Sequence, residues 1–413
     1  MLTHFPEPIA ALESRKAGPP PTICHFTTAH TELKSRSFHR QMMPLAASGM
    51  KVRYLAPVKS RARIDGVDLL ALPARKSRLR RVLAAPVLLR ALLREKADLY
   101  HFQDTELLPV ALVLKLIFRK RVVYDAYEDF PSIVATKKSI PRLARPIVAK
   151  IVSAAERFAA LTFDGVMTAD PLTLRRFGKV GSSKKLVFYN FPNLDLFPAA
   201  ISRAKQFDVV YRGGLSERAG FYVLLEAMQL LAEQDRRVRL LLIGYFDDPV
   251  AEEGLRECIR KSGVASSIVL RGRIDHKCMA DALSEARIGV CPLQPIPKFM
   301  RNIPVKVFEY WACALPVVAS DLPPMRPFFR SGETGLLHTP DRPDKLAEAI
   351  ARLLDNPEEA MRMGRSGRDL VVRRLNNSRE IEKLRRFCTH IGTSDQDSVA
   401  RAFEENDLAC SSH

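Results

Sequence analysis

Two segments combine residue types that could hold an anion. In Asn302-Ile-Pro-Val-Lys-Val-Phe-Glu309, Pro304 suits the first turn of a helix. The N-terminus of such a helix offers unpaired N–H groups and a partial positive charge, which together make an anion site. Lys306 and Glu309 would lie on that helix, with an apolar strand following at Pro316–Ala319. Alone, the segment fits a capped helix just as well, with Glu309 near the positive end of the dipole. The second segment is Tyr211-Arg-Gly-Gly-Leu-Ser-Glu-Arg-Ala-Gly220, placed between a strand-like run and a helix-like one. Gly213 and Gly214 let the backbone approach a ligand closely, and Arg212 or Arg218 could meet phosphate oxygens. Tight turns need glycine anyway, so this sign is weak when taken singly. Neither Gly-x-Gly-x-x-Gly nor a Walker sequence occurs, which argues against an NAD or ATP enzyme.

The elements that must position these residues alternate. Strands are expected at 22–26, 52–56, 99–102, 122–125, 165–168 and 186–189. Helices are expected between them, at 35–47, 79–94, 106–117, 142–161 and 171–177. After a polar, proline-punctuated stretch at 190–206, strands at 208–212, 238–243, 268–271, 288–291 and 316–319 alternate with helices near 217–232, 251–262, 279–286, 305–312, 344–354 and 358–375. Alternating βα units imply an α/β class of two doubly wound parallel sheets, with ligands at the carboxyl ends of strands. The expected domains are 1–200, 201–376, and a C-terminal helix with a mobile tail at 377–413.

A chain of 413 residues with 47% hydrophobic and 27% charged residues is ordinary globular material, too long for one core. No run of eighteen apolar residues occurs, since the candidate Leu107–Phe118 is broken by Lys115 and contains Pro109. Glu7, Glu13 and the prolines at 19–21 stand where a signal peptide needs an apolar core, so a cytoplasmic location is expected. Seven cysteines, none in a Cys-x-x-Cys pair, fit neither a disulfide framework nor a structural zinc site. Residues 1–200 hold 33 Lys/Arg against 16 Asp/Glu, whereas the rest of the chain is nearly balanced. The first half is therefore expected to face something anionic.

Taken together, the two segments change the reading. Strand–Gly-Gly–helix, the Ile243-Gly244 strand end, Arg271-Gly272, and Lys306…Glu309 before Pro316-Val-Val resemble the donor domain of glycosyltransferase family 4. The first half resembles that family's bacterial surface-polysaccharide branch, through Ile23–His30, His101–Pro109, Tyr124–Asp129 and Phe163–Thr168. The resemblance implies a GT-B fold whose two Rossmann-like domains face a cleft. It also implies a UDP- or GDP-sugar donor and sugar transfer with retained anomeric configuration. No cofactor and no metal would be needed.

Carried over by position, Glu309 would hold the nucleotide ribose, with Gly213, Gly214, Arg212 and Asn302 around the donor. Four positions depart from the family pattern. Arg301 stands where the first glutamate of the Glu-x7-Glu pattern would contact the sugar. Gly214 replaces an arginine, Ala219 a basic residue, and Tyr127 the histidine of the acceptor-side Asp-x-His-Glu pattern. Arg218, Arg212 and Lys306 are then the expected substitutes that stabilise the leaving diphosphate. Asp104, Glu106 and Glu128 are candidates for steadying the positive anomeric carbon, although each could equally cap a helix. His30 and His101 stand at strand ends, where a single histidine is more often structural than catalytic.

The basic run Arg75, Lys76, Arg78, Arg80, Arg81, Arg90, Arg94 and Lys96 surrounds an apolar stripe in a helix that Pro86 should kink. It reads as a membrane-surface element, or equally, by itself, as a solvated face over a core stripe. The charge surplus favours an anionic membrane at the inner face of the cell, where a lipid-linked glycan acceptor would be reached. A nucleic-acid-binding protein is the competing class. The basic half lacks a helix-turn-helix, zinc or ribonucleoprotein signature, so no nucleic acid is expected. A catalytically degenerate protein of the same fold is the third reading.

Overall fold

The computed structural model describes residues 20–28, 36–73, 78–136, 140–198, 204–246 and 249–393. They fall into two units: the chain up to Asn190 together with Ser378 onward, and Phe191–Asn377.

The first unit is built on the strands β1 (Ile23–Phe26), β2 (Val52–Ala56), β3 (Ala62–Ile64), β4 (Val67–Ala71), β5 (Leu99–Phe102), β6 (Arg121–Ala126), β7 (Gly165–Thr168) and β8 (Lys185–Val187). They form one sheet in the order β3-β4-β2-β1-β5-β6-β7-β8, parallel except for the β3/β4 pair. In the central strands β1, β5 and β7 every residue is buried, so both faces are covered. One face packs Phe26, Tyr100, Phe102, Tyr124 and Phe163 under helices Ala85–Arg94, Leu108–Leu116 and Arg145–Thr162. The other packs Phe38, Tyr54, Val123 and Met167 against Leu384, Phe387 and Ile391 of helix Asn377–Gly392.

Two features of this unit differ from the sequence reading. The first domain ends at Asn190 rather than 200, because Phe191 packs edge-on against Phe308 and Phe328 of the second unit. The C-terminal helix is no separate piece, because it closes the first unit's sheet. A Cβ on Gly165 would meet Ile391 Cδ1 at 2.4 Å, and Glu380 accepts a hydrogen bond from the Tyr189 amide at 2.9 Å. The expected mobile tail beyond Thr393 lies outside the described residues. The β3/β4 hairpin was not expected either. Asp65 and Gly66 both adopt positive φ (47° and 82°), as an Asp-Gly hairpin turn requires.

The second unit carries β9 (Phe207–Leu215), β10 (Leu240–Phe246), β11 (Ile268–Gly272), β12 (Ala286–Cys291), β13 (Val317–Ser320) and β14 (Gly335–His338). Their order is β11-β10-β9-β12-β13-β14, parallel throughout. The chain winds outward from β9 to β11 and then returns to β12 on the other side of β9. Strand order thus reverses at β9, where a crevice opens beyond the carboxyl ends. The first unit reverses in the same way between β1 and β5.

The expected helix 217–232 is interrupted: a short 3-10 turn, Glu217–Ala219, is followed by helix Phe221–Glu233. Gly220 separates them at φ 82°, and a Cβ there would stand 1.6 Å from the Pro292 carbonyl oxygen. Only glycine brings the two segments that close together. The expected kink at Pro86 is present as a break between helices Arg78–Leu83 and Ala85–Arg94.

Candidate anion site at the switch point

A cavity of about 480 Å³ opens where β9 and β10 end. Arg212, Gly213 and Gly214 come from the carboxyl end of β9, Arg218 from the 3-10 turn, and Gly244 and Tyr245 from β10. Lys298, Asn302, Pro304 and Lys306 come from the loop and helix start that follow β12. Pro304 caps helix Val305–Ala312 rather than opening its first turn. The N–H groups of this first turn are among those that a helix cannot satisfy internally.

Five basic side chains line the cavity (Arg212, Arg218, Arg273, Lys298 and Lys306), and no Asp or Glu is among the described lining residues. In a partly enclosed pocket the fields of such charges are screened less than in bulk water. A diphosphate, with several negative oxygens, is the complementary ligand.

The floor is rigid. Tyr211 donates its hydroxyl to the Gly214 carbonyl at 2.8 Å. Buried Tyr310 accepts from the Arg212 amide at 2.8 Å and donates to the Val290 carbonyl at 3.2 Å. Burial pushes the Tyr310 hydroxyl well above its ordinary pKa, so it keeps the proton it donates. Lys306 Nζ stands 4.1 Å from the centre of the Tyr211 ring, a cation–π contact. A Cβ at Gly213, where φ is 140°, would meet that ammonium at 2.9 Å. The glycine therefore makes room for the lysine as well as for a ligand.

Of the residues singled out in the sequence, Arg212, Gly213, Gly214, Arg218, Asn302 and Lys306 are brought together around this cavity. Glu309 is not on its wall. It is fully buried, with Arg212 Nη1 3.1 Å from one carboxylate oxygen and His276 Nε2 3.1 Å from the other. Ala219 lines the cavity, whereas Arg301 is exposed and does not. Glu128 and Tyr127 follow β6 in the first unit. Burial, and then Glu128, raise the Tyr127 hydroxyl above its ordinary pKa.

Sequence reasoning missed Tyr245, Arg273 and His276. Arg273 was legible in outline, because it follows Gly272 at a strand end, and Gly272 turns the chain at φ 66°. Its guanidinium lies 4.4 Å from the Tyr245 ring centre. Arg271, the residue noted instead, pairs with Glu285 at 2.7 Å.

The first unit's switch point holds a different set. Thr27 donates to Asp104 at 2.7 Å, Thr28 to Glu106 at 3.2 Å, and Arg81 grips Glu106 through two bonds of 2.6 and 3.0 Å. His25 and His101 meet through their Nδ1 atoms at 2.7 Å, and burial lowers the His101 pKa to about 4. Arg36 pairs with fully buried Asp125. His30 lies outside the described residues, as do Arg75 and Lys76. Arg81 therefore does not belong to an outward basic face: its charge is spent on Glu106. Among the described residues, no three His, Cys, Asp or Glu side chains gather as a metal site, and Cys24, Cys258, Cys278, Cys291, Cys313 and Cys388 are free thiols.

Residues 206–356 match the family described as glycosyl transferases group 1. Among curated proteins, alpha-D-kanosaminyltransferase of Streptomyces kanamyceticus is 24% identical over 45% of this chain and 46% of its own length. Phosphatidyl-myo-inositol mannosyltransferase of Mycobacterium leprae is 31% identical over 45% and 47%. The chain thus spans about half the length of the curated relatives it matches. Three solved structures resemble nearly the whole chain. Sucrose-phosphate synthase from Thermosynechococcus elongatus aligns with TM-score 0.69 at 20% identity, covering 89% of this chain and 98% of that one. Anabaena Alr3699/HepE in complex with UDP gives 0.67 at 14% identity, covering 88% and 98%. A glycosyltransferase from Rickettsia africae ESF-5 gives 0.71 at 13% identity, covering 91% and 100%.

Proposed function

On a chain of glycosyltransferase family 4 type with the GT-B fold, we propose that the cavity beyond β9 binds a nucleotide-sugar donor whose sugar is transferred to an acceptor. The observation that carries this reading is a pocket at the topological switch point lined by five basic side chains, with no Asp or Glu among its described lining residues. Breaking the bond between the anomeric carbon and the phosphate oxygen leaves the bonding electrons on the diphosphate. Arg218, Lys306 and the first turn of helix Val305–Ala312 would stabilise that growing charge. Fixed charges of this kind are normally the largest catalytic contribution. Gly213 and Gly214 would let the backbone approach the donor, and Asn302 would contact it. Ribose hydroxyls would reach Glu309 once Arg212 turns from the carboxylate towards the phosphates.

The finer features follow from the family resemblance: a UDP or GDP donor, retention of anomeric configuration, no metal and no cofactor. One neighbouring structure holds UDP, which supports a nucleoside diphosphate here. The acceptor is proposed to be a lipid-linked surface glycan at the inner face of the cell membrane. One relative is named for phosphatidyl-myo-inositol, which supports a lipid acceptor. Glu128 remains the proposed carboxylate on the acceptor side.

Thermal unfolding with UDP- and GDP-sugars tests the donor reading. A ligand at a hundred times its Kd should stabilise by about 2.7 kcal/mol. No stabilisation by any nucleoside diphosphate sugar would overturn it. Release of UDP or GDP in the presence of membrane acceptor then tests transfer. Binding without release would favour the degenerate reading, which the exposed Arg301 and the enclosed Glu309 favour.

A further inference from the structure

Helix Arg145–Thr162 hides Glu156, Ala159 and Ala160 against the first unit. Its opposite side is exposed and apolar. Ile147 and Ile151 are each 62% exposed, Phe158 is 60% exposed, and Leu143, in the turn just before the helix, is 91% exposed. Leu161 is exposed as well. These positions recur at helical spacing and fall on one face. Contiguous apolar surface of this kind on a soluble unit marks a contact with something apolar.

The neighbouring charges identify that partner. Arg142, Lys150 and Arg157 are exposed beside the stripe. Glu156, the only acid between residues 140 and 163, is buried, where it accepts from Tyr124 at 2.7 Å and from Arg176 at 2.5 Å. The outer face therefore presents apolar and basic groups without a carboxylate. Leu116 and Ile117, exposed at the end of the neighbouring helix Leu108–Leu116, extend the patch. Lys115 ties that end to Asp164, just beyond the C-terminus of helix Arg145–Thr162, at 2.6 Å.

We propose that this face docks on an anionic lipid bilayer, with helix Arg145–Thr162 lying in the interface and Lys150 and Arg157 against headgroup phosphates. A helix with one apolar side and a basic margin binds such a surface through both terms. No helix among the described residues is long and apolar enough to cross a membrane. The proposal moves the membrane contact from the 75–96 run, where Arg81 is committed to Glu106, to a different helix. It rests on the reading of a membrane-reached acceptor. Docking is measured without donor or acceptor, however, so either can fail alone.

The experiment is co-sedimentation of the full chain with vesicles of phosphatidylglycerol and phosphatidylcholine, and with phosphatidylcholine alone. The wild type should bind the anionic vesicles and release at high salt. Replacing Ile147, Ile151 and Phe158 together with Gln should lower partitioning more than tenfold. The double variant Lys150→Gln/Arg157→Gln should lower it about twenty-fivefold, at roughly fivefold per basic residue. It leaves the apolar stripe intact, so it decides the matter should the triple variant fail to fold. Unchanged binding of the double variant would overturn the proposal, as would a wild type that stays in the supernatant. Loss confined to an Arg80→Gln/Arg90→Gln variant would return the contact to the other helix. A dimer that the triple variant dissociates, with no vesicle binding, would assign the face to a second copy of the chain.

Discussion

The two switch-point crevices have the same topological origin and opposite electrostatics. Beyond β9, five basic side chains surround an open cavity with no carboxylate among the described lining residues. Beyond β1 and β5, charged and polar side chains pair with one another: Arg81 with Glu106, Thr27 with Asp104, Arg36 with Asp125, His25 with His101. Yet the first half of the chain carries most of the net positive charge. Net charge therefore does not locate the anion pocket. What locates it is where the fold gathers basic side chains in a crevice partly shielded from water, with no Asp or Glu among the described lining residues.

This contrast can be broken most forcefully at Asp125. Asp125→Ala removes the buried acceptor of both Arg36 and Gln41, and should cost about 3 kcal/mol in denaturant unfolding. UDP affinity should not change. If affinity fell instead of stability, the Arg36–Asp125 pair would serve the donor site rather than hold the first unit together.

Acidification should act on the same unit. The His101 pKa is lowered from 6.5 to about 4, so between these values the unfolded chain binds a proton that the folded one refuses. Stability is fully present above pH 6.5 and is lost as the pH falls towards 4, by up to about 3 kcal/mol. His101→Gln should flatten that part of the pH–stability curve, and an unflattened curve would place the titration elsewhere.

In the second unit the effects should move from stability to affinity. Lys306→Ala and Arg218→Ala should each weaken UDP binding about tenfold by calorimetry, the value of a charged hydrogen bond, with little change in unfolding. Tyr310→Phe should have the smallest effect. It removes one hydroxyl between the Arg212 amide and the Val290 carbonyl, for about 1 kcal/mol of stability and a few-fold loss of UDP affinity. A larger loss of affinity in Tyr310→Phe than in Lys306→Ala would show that floor geometry, rather than cation count, governs the pocket.

Much of the fold was legible because its strands are short apolar runs and its helices are amphipathic and longer. Asp65-Gly66 carried a hairpin signal in plain view that marks β3 and β4. The break at Gly220 was hidden, because a glycine before an apolar helix reads equally as a cap; what demands it is the Pro292 carbonyl, far along the chain. The cavity residues on β9 and at the start of helix Val305–Ala312 could be found because each lies within a local motif. Tyr245 and His276 could not, since each matters only through what stands opposite it.

By itself, then, the sequence determined the alternation of elements, the two sheets, and the segments whose glycines and basic residues could hold an anion. These are local properties, set by periodicity, turn chemistry and helix termini. Tertiary structure alone decided which charges pair with each other and which line the pocket. It tied Arg81 to Glu106 and Arg212 to Glu309, buried Glu156 beneath an apolar and basic helix face, and gathered Arg218, Arg273, Lys298 and Lys306 around one cavity. Pairing and desolvation depend on residues distant in the chain, and no spacing along it encodes the distance between two side chains in space.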